Sequence, residues 1–165
     1  MCSYCGCQSI TVINLLSRQH EEMIIKVGQV RRAAEKVDVQ AAQNYTLELA
    51  NLLIPHTRLE EEGLFAALVG DDEFVEPVAK LTRDHAEIDE LIRGLLAGDI
   101  SIAHDLDVRL RNHISNEENG IFPASAVSLD GAVWDQIQEQ LLLTSSKAQV
   151  SQSRTNSWQE TSAQL

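Results

Sequence analysis

The feature that most limits how this chain can fold is a short element that occurs twice. HTRLEEEGLFAA at residues 56–67 and HISNEENGIFPA at residues 113–124 align without a gap, sharing His-x3-Glu-Glu-x-Gly-[Leu/Ile]-Phe-x-Ala. Upstream, His20-Glu21-Glu22-Met23 and His85-Ala86-Glu87-Ile88 echo each other more faintly. The chain therefore reads as one helical hairpin duplicated, and two hairpins side by side make a four-helix bundle.

Apolar periodicity agrees. Ile13, Leu16, Met23, Ile24 and Val27 keep helical spacing and predict a first helix over about residues 9–36. Asp38 is placed to cap a second, running to about residue 69, whose apolar face carries Leu49, Leu52, Leu53, Leu59 and Leu64 and which Pro55 should kink. Gly70-Asp71-Asp72 is a turn and a new N-cap. A third helix is expected over about 75–97, stopping at Gly98-Asp99, and a fourth over about 101–119. Val133, Ile137 and Leu141 mark a weaker fifth over about 130–143.

Composition supports the same class, because 44% of residues are hydrophobic but only 4% aromatic, with 3 prolines in 165 residues. The expected fold is all-α, an up-down-up-down four-helix bundle with a short C-terminal fifth helix. It divides into a Cys-rich segment (1–8), the bundle (9–143) and a flexible polar tail (144–165). A net charge of −12 repels phosphate backbones and anionic lipid, so neither nucleic acid nor membrane is an expected partner. The early apolar run over 10–16 is too short to span a bilayer and has no basic residue before it, which points to a cytoplasmic protein without a signal peptide.

In an up-down bundle, residues equally far from a connecting turn lie at the same height. His20 and His56 stand 17 and 19 residues from Val37, His56 and His85 stand 14 and 15 from Gly70, and His85 and His113 both stand 14 from Asp99. All four fall in one layer. Each also sits on its helix's apolar stripe, between residues such as Leu16 and Met23 or Leu81 and Ile88. Helical spacing of about 100° per residue puts Glu60 on the face of His56 and Glu117 on the face of His113, while Glu61 and Glu62 point toward solvent or the flank of a neighbouring helix, and Glu118, at i+5 from His113, is not expected to bridge. Four histidines and two carboxylates in an apolar interior are costly unless a cation pairs them, and a metal pair does so at once. His104, about 180° round from His113, is left on the surface. Tyr45 is a core residue about three turns from His56.

Imidazoles with two carboxylates able to bridge suit a pair of iron ions, and the absence of thiolates from the layer argues against structural zinc. A ferritin-like site needs Glu-x-x-His on two helices, and no histidine here has Glu three residues before it. The doubled His-x3-Glu-Glu-x-Gly-[Leu/Ile]-Phe element resembles the hemerythrin-like, or HHE cation-binding, family over about residues 9–125. That resemblance implies a non-haem di-iron centre inside the bundle, with an oxo or hydroxo bridge when oxidised, held by His20, His56, Glu60, His85, His113 and Glu117. Oxygen-carrying members have H-x3-H on the third helix and H-x4-D on the fourth. Here stand His85-x3-Asp89 and His113-x3-Glu117, which look more like the bacterial di-iron proteins implicated in repairing damaged iron centres. Asp89, at i+4 from His85, either supplies a seventh ligand or hydrogen-bonds a ligand histidine.

Fewer protein ligands leave more open positions, favouring reaction with H2O2, NO or O2 over reversible carriage. The alternative is a non-enzymatic O2- or iron-binding or sensing protein. Cys2, Cys5 and Cys7 crowd the N-terminus, one thiol short of a closed zinc or iron-sulfur site. They are read either as a flexible reactive tip, able to cycle one disulfide or to hold a metal with a partner, or as an inert disordered end. The protein's expected macromolecular partners are a thiol reductant or an iron-acceptor protein.

Overall fold

A computed structural model describes residues 6–139. After a 3₁₀ turn at Cys7–Ser9 come α1 (Thr11–Glu35) and α2 (Val39–Leu59). A π-helical segment, Glu60–Phe65, then leads into α3 (Ala66–Leu68). The second half repeats the plan: α4 (Asp72–Leu96), a 3₁₀ turn at Ile100–Ile102, α5 (Ala103–Asn116), a π segment at Glu117–Ile121 and α6 (Phe122–Ser128). A further helix, α7, covers 131–139. The end of the fifth helix expected over 140–143, the tail over 144–165, Cys2 and Cys5 lie outside the described residues.

The caps stop and start the helices where their chemistry allows. Asp38 accepts from the Ala41 N–H at 3.0 Å, and Asp71 accepts from the Glu73 N–H at 3.0 Å. α4 begins at Asp72, three residues before the periodicity suggested, because Asp71 captures the first turn. Pro55 does not interrupt α2, which stays helical through it. Helix α1 packs on α2 and α5, and α4 packs on α5 and α2, closing a four-helix bundle.

The core is split. One apolar cluster fills the end of the bundle holding Val12, Ile13, Leu16, Leu64, Leu81 and Phe122, and the inner face of α7 covers it through Trp134 and Ile137. The other fills the opposite end with Met23, Val27, Leu49, Ile92, Leu106 and Leu110, and Tyr45 packs against it. Between them lies a layer of buried polar groups. Cys7 belongs to the first cluster and is buried, which corrects the expectation of a flexible or disordered tip at that position. The chain turns at Cys7–Ser9 so that this thiol and Ile10 pack into the apolar end.

Candidate metal centre

α1, α2, α4 and α5 each deliver one histidine to that layer, and the two π segments begin at the two glutamates. His20 and His56 face each other with Nε2 atoms 3.0 Å apart, and so do His85 and His113. Glu60 places Oε1 3.2 Å from His56 Nε2 and Oε2 3.3 Å from His85 Nε2. Glu117 places Oε2 3.2 Å from His20 Nε2 and Oε1 3.2 Å from His113 Nε2. Each carboxylate thus offers one oxygen to each histidine pair. Two groups result, His20, His56, Glu60, Glu117 and Glu60, His85, His113, Glu117, each with its donor atoms within 4.8 Å of one another.

The π segments help to shape this layer. With α spacing, Phe65 would stand about 140° round from Glu60, outside the core. The wider i→i+5 turn brings it back, and its ring stacks on His85 at 5.8 Å. Phe122 stacks on His20 at 5.6 Å in the same way.

Without a cation the arrangement is poorly satisfied. Glu60 and Glu117 are 0% exposed, and none of their four oxygens has a properly oriented hydrogen-bond partner. Facing Nε2 atoms can share at most one proton between them. Burial alone would depress the His20 imidazole, but its contacts with Glu117 and Glu118 outweigh that and raise it from 6.5 to about 9. His85 is likewise lowered by burial and raised further by Glu60, Glu61 and Glu117, to about 9. Burial pushes Glu60 up, yet His56 and His85 hold it well below the usual carboxylate range. Burial and the Glu60 charge push Glu117 up, and His113 and His20 pull it below that range. A cluster with unpaired carboxylate oxygens between imidazole pairs fits metal ions.

A family model described as the Hemerythrin HHE cation binding domain matches residues 11–125. The chain belongs to the hemerythrin family. No curated protein and no solved structure matched it.

Around the inner layer of this hemerythrin bundle runs a ring that the sequence reading missed. His20 Nδ1–H donates to Glu118 at 2.9 Å, His85 Nδ1–H donates to Glu61 at 2.7 Å, and His56 Nδ1–H donates to the Gln19 side-chain oxygen at 2.9 Å. A carboxylate can only accept, so the Nδ1 atoms of His20 and His85 carry hydrogen, and when those rings are neutral their Nε2 lone pairs point inward. Burial would raise Glu118, but His20 and Ser17 hold it below its ordinary value. Glu61 thus takes the helix-flank alternative that spacing from His56 left open, and Glu118 does the same, neither entering the inner layer. They reach across to the histidine of a neighbouring helix. Glu62 makes no contact with the layer and pairs with Arg58 at 2.9 Å. The signal was the second Glu of each Glu-Glu doublet, shared by both copies of the repeat. Gln19 and Asp84 carried another: each directly precedes a layer histidine, and so turns toward the next helix.

Asp89 is corrected too. It is exposed and paired with Arg93 at 2.8 Å, away from the layer. The buried residues of α4 (Phe74, Val78, Leu81, Asp84, His85, Ile88, Ile92, Leu95) centre about 40° behind His85, so a step to i+4 leaves the buried face. On α2 and α5 the histidine lies on the opposite edge of its stripe, and the same step carries Glu60 and Glu117 to the middle. His104 is exposed, as expected. Among the described residues no helix is long and apolar enough to cross a membrane.

Proposed function

We propose that the layer holds two iron ions, ligated by His20, His56, Glu60, His85, His113 and Glu117, with Glu60 and Glu117 each bridging both. The observation that carries this reading is the division of each buried carboxylate, one oxygen to each histidine pair. Iron bound there supplies redox chemistry toward small oxidants and nitric oxide. The protein's own groups set the conditions. Glu118, Glu61 and Gln19 fix ring orientation and tautomer, and the rings of Phe65 and Phe122 lie flat on two of the histidines and keep water from them. The apolar clusters above and below exclude bulky substrates and favour O2, H2O2 or NO. Within the hemerythrin family, the ligand pattern favours the type that supports iron-centre repair over the oxygen carriers. The partners this requires are a thiol reductant or an iron-acceptor protein, in the cytoplasm.

Anaerobic iron reconstitution of the full chain, followed by metal analysis and stopped-flow spectra of the reduced protein with O2, H2O2 and NO, tests the reading. About two irons per chain and rapid oxidation without a long-lived adduct are expected. Saturation at one metal, or zinc that resists exchange, would defeat the di-iron assignment. An O2 adduct that persists for minutes and releases O2 reversibly would move the function to storage or sensing.

A further inference from the structure

The two histidine pairs are not supported alike from outside. In the first pair both outer nitrogens are hydrogen-bonded, His20 to Glu118 and His56 to Gln19, each at 2.9 Å. In the second pair only His85 is, and its partner Glu61 is 42% exposed whereas Glu118 is 11% exposed. Water competes for Glu61 far more than for Glu118. His113 Nδ1 is buried without any hydrogen-bond partner, and the carboxylate oxygen that approaches it, Asp84 Oδ2, stops at 3.9 Å.

Asp84 is held back from the other side. Its Oδ1 is 3.4 Å from Nη1 of Arg109, and the second amino group of Arg109 is paired with Glu87. Asp84 is the counterpart of Gln19, since each precedes its helix's histidine and faces the histidine of the following helix. Gln19 completes its bond, and Asp84 does not. Arg109 both restrains the Asp84 carboxylate and offsets its charge, so His113 receives neither the orientation nor the electron donation that an outer partner gives a metal-bound imidazole.

We propose, on the di-metal reading above, that Arg109 is a positioning residue which, through Asp84, makes the two metal positions unequal. The position between His20 and His56 fills first and binds tightly. The one between His85 and His113 fills second and exchanges faster, which makes it the position from which a metal ion can leave toward an acceptor.

Anaerobic Co(II) titration of the metal-stripped full chain, read by visible absorption and calorimetry, separates the two steps. Wild type should show two Co(II) ions whose affinities differ by about tenfold or more. Arg109→Gln should strengthen the second step and leave the first, because Asp84 is then free to close on His113. Arg109→Lys, which keeps a cation beside Asp84, should retain the wild-type separation. His113→Gln should abolish the weaker step. Two equal affinities, a second step unmoved or weakened by Arg109→Gln, or loss of the tighter step in His113→Gln would each overturn the proposal alone. Binding of one Co(II) or none in wild type would overturn the di-metal reading and the proposal together.

Discussion

The hairpin of α1 and α2 and the hairpin of α4 and α5 are two versions of one design, and they match closely inside and poorly outside. Inside, His20, His56, Glu60 and Phe65 correspond to His85, His113, Glu117 and Phe122, and even the outer carboxylates cross over reciprocally, Glu118 to His20 and Glu61 to His85. Outside, α7 covers the first half, so that a Cβ on Gly63 would meet Ile137 at 3.1 Å. Its counterpart Gly120 meets nothing and opens on a groove of about 600 Å³ lined by Phe74, Pro77, Leu81 and Ala124. Groups that must converge on one point tolerate little change, whereas each half's outer surface needs only to stay satisfied by whatever covers it.

The largest expected effect breaks both halves with one substitution. Because each inner carboxylate serves both pairs, Glu60→Gln or Glu117→Gln should drop metal content from about two per chain to well under one. A ligand histidine belongs to one half, so His20→Ala should cost about one metal and spare the other. Metal analysis after reconstitution reads both. Loss of one metal in Glu60→Gln would mean that the carboxylate serves one half alone.

Proton linkage comes next and probes whether the halves titrate alike. His20 and His85 are equivalent, and both are raised from 6.5 to about 9. A raised folded-state value stabilises the metal-free fold fully below pH 6.5, and that contribution is lost as pH climbs through about 9. Metal requires the neutral ring. Uptake of two metals near neutral pH should therefore expel about two protons, one per metal, and the apparent affinity for each metal should rise up to about tenfold per pH unit until pH 9. Calorimetry in buffers of different ionisation enthalpy counts those protons. One proton instead of two would show that only one half holds an imidazolium.

The outer carboxylates sharpen the comparison at smaller scale. Glu118→Gln and Glu61→Gln should both retain two metals but weaken binding, within the roughly 10–100-fold range typical of groups that orient a metal-bound histidine. Glu118→Gln should cost more, because the more exposed Glu61 carboxylate is screened by solvent. Equal losses would mean that exposure does not matter here.

These outer groups also mark where the sequence stopped being legible. The bundle, its turns and the inward placement of His20, His56, Glu60, His85, His113 and Glu117 follow from apolar periodicity and the duplicated element, because both depend on spacing along one helix. Glu61, Glu118, Gln19 and Asp84 act across helices, and periodicity on one helix says little about which neighbour a flank residue meets. Asp89 failed for a subtler reason: i+4 leads into the core or out of it depending on which edge of the stripe the histidine occupies. The π segments, absent from the sequence reading, rest on a change of hydrogen-bond register that has no spacing signature of its own.

The smallest expected effect lies in the two hairpin turns, which share one hydrogen-bond pattern but place different residues at its positive-φ position. Val37 and Asp38 donate to Ala34 and Ala33 at 2.9 and 3.0 Å, and Gly98 and Asp99 donate to Leu95 and Gly94 at 3.0 and 3.1 Å. The pattern demands a positive φ, 57° at Val37 and 100° at Gly98. A β-branched residue there costs about 1–2 kcal/mol, and Val37 recovers little by packing because it is 74% exposed. Val37→Gly should therefore stabilise the metal-free protein, by about 0.5–1 kcal/mol once the larger unfolded-state freedom of glycine is subtracted. The reverse change tests the same strain from the other half. Gly98→Val should destabilise by about 1–2 kcal/mol through backbone strain alone, since a Cβ there meets nothing closer than Gln43 at 3.7 Å. Denaturant unfolding of both variants measures the pair, and opposite signs are required: a loss in Val37→Gly would mean that the exposed valine contributes more to the fold than its strained backbone costs.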